Sequence, residues 1–77
     1  MNVMESASVS TVIQGHPRYS AKVYYHQSRD FKQAFFDIGV VVDRRTMDEE
    51  EYTPGLHGIS EGVYVAAEDL AWEVATS

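Results

Sequence analysis

The sequence predicts an α+β fold in which two helices pack on one face of a small, mostly antiparallel sheet of three or four strands. Residues 7–14 and 19–26 alternate apolar and polar side chains with a period of two, as strands do. Residues 28–39 and 66–76 repeat apolar side chains at helical spacing. Each element has a single apolar side, so one layer of helices on one side of the sheet buries all of them. The predicted order is strand, strand, helix, strand, acidic connection, strand, helix.

The first two predicted strands form a hairpin. Segment 7–14 is rich in β-branched residues, and Gly15 and Pro17 mark the turn that follows. Segment 19–26 has one apolar and one polar face. The apolar face, which we expect to point inward, consists of Tyr19, Ala21, Val23 and Tyr25. The other face consists of Ser20, Lys22, Tyr24 and His26.

The first predicted helix spans residues 28–39. Its apolar stripe is formed by Phe31, Ala34, Phe35 and Ile38. Ser28 suits the N-cap position, and Gly39 follows the last helical residue, where glycine commonly ends a helix. Three valines at 40–42 then predict a third strand.

The acidic segment and the C-terminus complete the predicted order. Thr46 and Glu49 have the spacing of a capping box, which allows a helical turn to start in the acidic run; the path of residues 46–61 stays open. Segment 62–66 predicts a strand with Tyr64 pointing outward. Segment 66–76 predicts the second helix. Its apolar stripe consists of Ala67, Leu70, Ala71 and Val74.

Length and composition predict one domain over residues 1–77, with a flexible start at 1–6. The absence of cysteine excludes disulfides, thiolate metal sites and cysteine nucleophiles. The N-terminus has no signal-peptide pattern and the chain has no apolar run long enough to span a membrane, so a cytoplasmic location is expected. No catalytic, phosphate-binding or metal-binding motif is present, and we expect no enzyme activity, no cofactor and no metal.

Charge is divided unevenly along the chain, whose formal net charge is −6. Residues 1–45 contain all six basic residues and four acids, whereas residues 46–77 contain eight acids and no Lys or Arg. A segment with net charge −8 repels the phosphates of nucleic acids and of anionic membranes. The distribution therefore favours a protein partner with a basic surface.

The candidate partner-binding residues come from the acidic run and from the second predicted helix. Acidic side chains would steer association, and an aromatic side chain among them would supply desolvated contact area. The candidates are Asp48, Glu49, Glu50, Glu51, Tyr52, Glu68, Asp69, Trp72 and Glu73. On a helical wheel Trp72 lies between Glu68 and Asp69, away from the predicted core. The alternatives are that Trp72 packs inside the fold and that the acids only keep the protein in solution.

In small size, acidity and lack of motifs the chain resembles phage-encoded inhibitors of host defence, such as anti-CRISPR proteins. This likeness is one of composition. It implies a non-enzymatic inhibitor that acts in the host cytoplasm by occupying a basic, nucleic-acid-binding surface of another protein, without binding nucleic acid itself.

Two other functions remain open from the sequence. The chain could form a structural or regulatory homo-oligomer through the open sheet face, where we expect Tyr24, His26 and Tyr64. It could also be a small enzyme or metal protein that uses His16 or His26, although no histidine has a partner at ligand spacing.

Overall fold

The computed structural model describes residues 4–28 and 34–77, with side chains described for 6–26 and 39–77. The elements are β1 (Met4–Ile13), β2 (His16–Ser28), β3 (Ala34–Asp43), β4 (Glu49–Glu51), a 3₁₀ turn (Leu56–Gly58) and α1 (Glu61–Thr76). The strands form one antiparallel sheet in the order β1-β2-β3-β4. Helix α1 packs on one face of this sheet, mainly over β1 and β2. The described chain is therefore a small α+β fold with an open four-stranded sheet and one α-helix.

The predicted hairpin is confirmed and is longer than expected. Strands β1 and β2 meet at a turn that contains Gly15, whose φ of 79° favours glycine. Ala21 and Val23 are fully buried beneath the helix, and Tyr25 is nearly so, as the alternation predicted. Of the expected flexible start at 1–6, residues 4–6 belong to β1 and residues 1–3 lie outside the described residues.

The predicted helix over 28–39 is wrong wherever the structure describes it. Ser28 ends β2, residues 34–39 belong to β3, and residues 29–33 lie outside the described part of the chain. Backbone pairing of β3 with β2 begins at Ala34 opposite Gln27. A stretch rich in aromatic and β-branched residues also suits a strand, and a neighbouring strand to pair with outweighs a helical spacing of only two turns. Helix and strand are hard to separate by period in such a short segment.

The predicted strand over 62–66 is also wrong, because these residues form the start of α1. The side of α1 that faces the sheet is formed by Tyr64, Ala67, Ala71 and Ala75, at spacings of three and four residues. The expected stripe included Ala67 and Ala71 correctly. Its other members, Leu70 and Val74, are 53% and 60% exposed. Because the helix begins at Glu61, Tyr64 belongs to its sheet-facing side. This side is centred near Ala71, and Leu70 and Val74 lie at its margin, toward solvent.

The acidic run forms strand β4 and not a helical turn. Glu49, Glu50 and Glu51 lie opposite Val42, Val41 and Val40 of β3. The loop between these strands is closed by backbone hydrogen bonds between Asp43 and residues Met47 and Asp48. Met47 has a φ of 65°, a left-handed conformation that lets the chain turn back into the sheet.

The segment after β4 fastens α1 to the sheet. The Tyr52 ring stacks on the Tyr64 ring with centroids 4.1 Å apart, and its hydroxyl donates a 2.7 Å hydrogen bond to the carbonyl of Ile59. Ile59 itself is fully buried. The hydrophobic core at this end consists of Ile13, Ala21, Val41, Ile59, Tyr64 and Ala67. Residues 52–59 therefore hold the first turn of α1 against the sheet.

Side chains of α1 approach β3 closely at Gly39. The Tyr64 hydroxyl donates a 2.7 Å hydrogen bond to the Glu68 carboxylate, and both groups lie against the Gly39 backbone. A Cβ atom at position 39 would lie 2.7 Å from the Tyr64 hydroxyl oxygen and closer still to the Glu68 carboxylate. Glycine in a strand often marks such a close approach. Gly39 was predicted to end a helix, but in the structure it lies within β3 and makes room for α1.

We expect Gly39→Ala to lower the free energy of unfolding by about 1 to 3 kcal/mol, because the added methyl group displaces the Tyr64–Glu68 pair from a packed interface. Urea denaturation measures this change. Gly62→Ala is the matched control: no heavy atom lies within 4 Å of its added Cβ, and it sits in α1, so it should stabilise the protein by up to about 1 kcal/mol. Equal stability of the wild type and Gly39→Ala would show that the interface accommodates the added methyl group.

An ion pair joins the β1–β2 hairpin to the end of β3. The Arg18 guanidinium donates hydrogen bonds of 2.8 to 3.1 Å to both carboxylate oxygens of Asp43. This contact, helped by the backbone amide of Arg45, lowers the pKa of Asp43 from 3.8 to about 2. A depressed carboxyl pKa stabilises the fold above about pH 4, and this stabilisation is lost as the pH falls toward 2.

We expect Arg18→Gln to return the pKa of Asp43 toward 3.8, because the neutral amide cannot provide the charge-assisted pair. Carboxyl carbon chemical shifts followed by NMR between pH 1.5 and 6 measure the pKa directly. Arg45→Gln is the control, since Arg45 contacts Asp43 through its backbone amide only. An unchanged pKa in Arg18→Gln would assign the depression to the loop backbone instead.

Candidate acidic partner-binding surface

Strand β4 places three glutamates on the exposed edge of the sheet. All three are exposed, and because side chains alternate along a strand, they project from both faces. Glu49 and Glu51 lie on the face away from α1, in register with Val42 and Val40. Glu50 lies on the face that α1 covers, opposite Val41. We call residues 48–51 the acidic edge, and any partner that approaches it meets carboxylates on both sides.

Glu49 is occupied within the chain. It accepts a hydrogen bond from the Tyr24 hydroxyl and lies 3.3 Å from the Lys22 ammonium, both across the sheet on β2. The hydrogen bond from Tyr24, and then the contact with Lys22, lower the pKa of Glu49. These three side chains lie over Val40 and Val42 of the intervening β3, which are only 8% and 6% exposed. Glu49 therefore helps to cover the face of the sheet that has no helix.

Glu50 and Glu51 differ in their surroundings. A Glu50 carboxylate oxygen lies 3.2 Å from Nε2 of His57, and the His57 ring stacks on Tyr19 with centroids 4.4 Å apart. The Glu51 side chain makes no hydrogen bond or ion pair with the described residues, and neither does that of Asp48. These two carboxylates carry charge that the described part of the fold does not neutralise.

The acids of α1 do not share one environment. Glu68 is half-buried and accepts the hydrogen bond from Tyr64 beside Gly39. Asp69 and Glu73 are exposed and lie away from the sheet-facing alanines. The predicted acidic residues thus lie at three places: the acidic edge, the flank of α1 where Glu68 is half-buried, and the outer face of α1.

The two candidate aromatic anchors are both packed within the fold. Trp72 is half-buried and meets Tyr25 edge-on, with ring centroids 6.4 Å apart and an interplanar angle of 87°. This is the inward packing that the sequence left open for Trp72. Tyr52 uses its ring on Tyr64 and its hydroxyl on Ile59. Neither ring stands free as a contact surface.

Of the three residues predicted for the oligomer face on the open side of the sheet, two lie there and one does not. Tyr24 and His26 lie on it as expected, with Tyr24 bonded to Glu49 and His26 Nδ1 3.2 Å from the Ser6 hydroxyl. Tyr64 does not lie there, because it belongs to α1 and is buried against the other face, and burial raises its hydroxyl pKa. The proposed oligomer face therefore loses one of its three residues.

Side chains that sequence reasoning did not join are brought together here. Lys22 and Tyr24 were placed on one strand face, but their shared contact with Glu49 depends on the register of three strands. The stack of His57 on Tyr19 likewise joins a loop to the β1–β2 turn region. The sequence could not predict either contact, because the alternation in β2 shows which residues share a face but not which distant residues lie beside them.

Comparisons with protein families, with curated proteins and with solved structures find no match to this chain. Within residues 4–28 and 34–77, no helix combines the length and apolar character needed to cross a membrane. The same residues contain no group of three or more His, Asp or Glu side chains placed to hold a metal ion.

We expect Glu49→Gln to lower the free energy of unfolding at pH 7 by up to about 1 kcal/mol, because it removes a charged partner of Tyr24 and Lys22 at a partly exposed site. Glu51→Gln, the same change on the same strand face, should leave stability unchanged. Urea denaturation at pH 7 and pH 3 measures both. Because the pKa of Glu49 is lowered by folding, its stabilising effect is present above about pH 4.5 and disappears as the carboxyl is protonated. Equal losses from the two variants at pH 7 would refute the special position of Glu49.

Proposed function

We propose that this chain is a non-enzymatic binding module that occupies a basic surface of another protein through its acidic edge. One observation supports this most directly: an exposed edge strand consists of three consecutive glutamates. An edge strand carries unpaired backbone groups, and charged side chains on it exclude every partner except one that can offset the charge.

The contacts within the fold identify the residues available to a partner. Glu49 is held by Lys22 and Tyr24, and Glu50 lies beside His57. Among the residues that the structure describes, Glu51 and Asp48 have no countercharge. We assign the leading contacts to Asp48, Glu50 and Glu51. Asp69 and Glu73 on the outer face of α1 add to the long-range field that steers a basic partner, and Tyr52 and Trp72 support the fold behind these acids.

A partner of this kind would use the same basic surface for nucleic acid. Carboxylates that project from both sides of a strand can contact Arg and Lys side chains that otherwise bind phosphates. Occupying that surface would inhibit the partner by competition, without catalysis and without a cofactor. This mode of action agrees with the likeness in composition to phage-encoded inhibitors of host defence, which act in the host cytoplasm.

We expect Glu50→Gln/Glu51→Gln to lose binding to a basic partner, because both carboxylates at the open edge become neutral. The measurement is an affinity pull-down from a nuclease-treated bacterial lysate, washed at low and then high salt, with added duplex DNA as competitor. The control is Asp69→Asn/Glu73→Gln, which changes the net charge by the same amount on the outer face of α1. Wild type and control should retain the same nucleic-acid-binding protein, and DNA should displace it.

The outcomes separate a local site from a general effect of charge. Once a partner is retained, its association rate with each variant is measured across salt concentrations. A rate lowered at least tenfold by the edge variant and much less by the helix variant supports the acidic edge. Equal losses would indicate only long-range steering, and retention of the partner by both variants would show that the acids are not the contact.

A further inference from the structure

Strand β1 leaves the opposite edge of the sheet open over ten residues. Within the described part of the chain β1 pairs only with β2, so the outer backbone groups of Met4–Ile13 have no strand beside them. Its single charged residue is Glu5, and it contains neither lysine nor proline. Long, nearly uncharged edges readily pair with another strand, and natural proteins usually block them. The edge at β4 is short and carries three glutamates, whereas β1 has neither protection.

An exposed apolar pair on α1 lies on the same side as this free edge. Tyr64 and Glu68 contact Gly39 on β3, and Trp72 contacts Tyr25 on β2, so this flank of α1 faces the inner strands. Leu70 lies about 200° around the helix from Glu68 and Val74 about 240°. Both therefore project toward β1 and past it, and they are 53% and 60% exposed.

We infer that the β1 edge and the Leu70–Val74 flank form an interface with a second copy of this chain. Two β1 strands paired antiparallel about a twofold axis perpendicular to the sheet produce one continuous sheet of eight strands. Such an axis leaves both α1 helices on the same face. The apolar flank of each helix then faces the other helix across the axis.

The geometry of sheets makes this contact close enough to bury the apolar pair. Neighbouring strands lie about 4.8 Å apart, so a helix centred between β1 and β2 would lie about 10 Å from its symmetry mate. Packed helices lie about 8 to 10 Å apart. Trp72 lies at the level of Tyr25, which pairs with Ala7, so Leu70 and Val74 flank the middle of β1. An axis near Ser8 or Val9 therefore aligns the strands and the helices together.

A second copy fits this surface better than a lone peptide strand. A bound peptide would pair with the β1 backbone but leave Leu70 and Val74 exposed. The symmetric arrangement instead buries Leu70 and Val74 of both copies. Centring the pair near Ser8 also places Glu5 of each copy opposite Thr11 of the other, so the two Glu5 residues are not paired with each other. The acidic β4 edges lie at the outer ends of the eight-stranded sheet, where their like charges oppose further growth.

Analytical ultracentrifugation over a concentration series tests the inference. The wild type should change from one chain of 8.7 kDa to a dimer as concentration rises. Leu70→Gln/Val74→Gln should weaken the dimer at least tenfold, and so should Ser8→Lys, which places two positive charges at the axis. Val65→Gln is the matched control, because Val65 is 40% exposed on another side of α1; it should change dimerisation less than twofold. Circular dichroism confirms that each variant is folded.

Cross-linking identifies the surface, since the chain has no native cysteine. Ser8→Cys should give a covalent dimer with a short bis-maleimide, and Thr53→Cys, in the loop after β4, should give none. A wild type that stays at one chain's mass at millimolar concentration overturns the inference. The inference is also overturned if the β1 and α1 variants leave a dimer intact while Tyr24→Ala disrupts it, because that result assigns the contact to the open sheet face. Neither result bears on the acidic edge, whose own test is the loss of a basic partner.

Discussion

The close approach of α1 to the sheet is the constraint on which the rest of this structure depends. Small side chains at Ala67, Ala71 and Ala75 face the strands, and Gly39 removes the one Cβ that would obstruct Tyr64 and Glu68. With so little bulk between the layers, the helix can adopt only a narrow range of rotations about its axis. That rotation determines which of its side chains meet the sheet, which meet solvent and which overhang β1.

The charge division of the sequence is partly neutralised by the register of the sheet. Lys22 of the basic half meets Glu49 of the acidic half across the intervening strand β3, and this contact covers valines on the face without a helix. Arg18 is occupied by Asp43, and Arg44 donates to the carbonyl of Pro17. These cations are therefore engaged locally, and no cation among the described residues pairs with Asp48 or Glu51.

The two edges of the sheet have opposite physical character, and the two proposals follow from that difference. At β4, exposed carboxylates make pairing with another acidic or neutral strand unfavourable and attract a basic surface. At β1, ten residues with one charge lie next to exposed leucine and valine side chains. One edge thus selects its partner by charge and the other by backbone pairing and apolar burial. A dimer joined at β1 would present two acidic edges, at opposite ends of one sheet, to partners with extended basic surfaces.

The sequence by itself determined the β1–β2 hairpin, its buried face, the presence of a C-terminal helix and the exposed acids at 48–51. These features depend on local alternation, on turn residues and on charge, which act over a few positions. Tertiary structure alone decided that 34–39 form a strand, because β2 extends far enough to pair with it and pairing outweighs a two-turn helical pattern. It also decided that α1 begins at Glu61 and faces the sheet with Tyr64 and its alanines. The sequence placed Leu70 and Val74 inside because they continue the helical spacing of Ala67 and Ala71, but packing on the sheet buries Tyr64 and Ala75 with these alanines and leaves Leu70 and Val74 exposed.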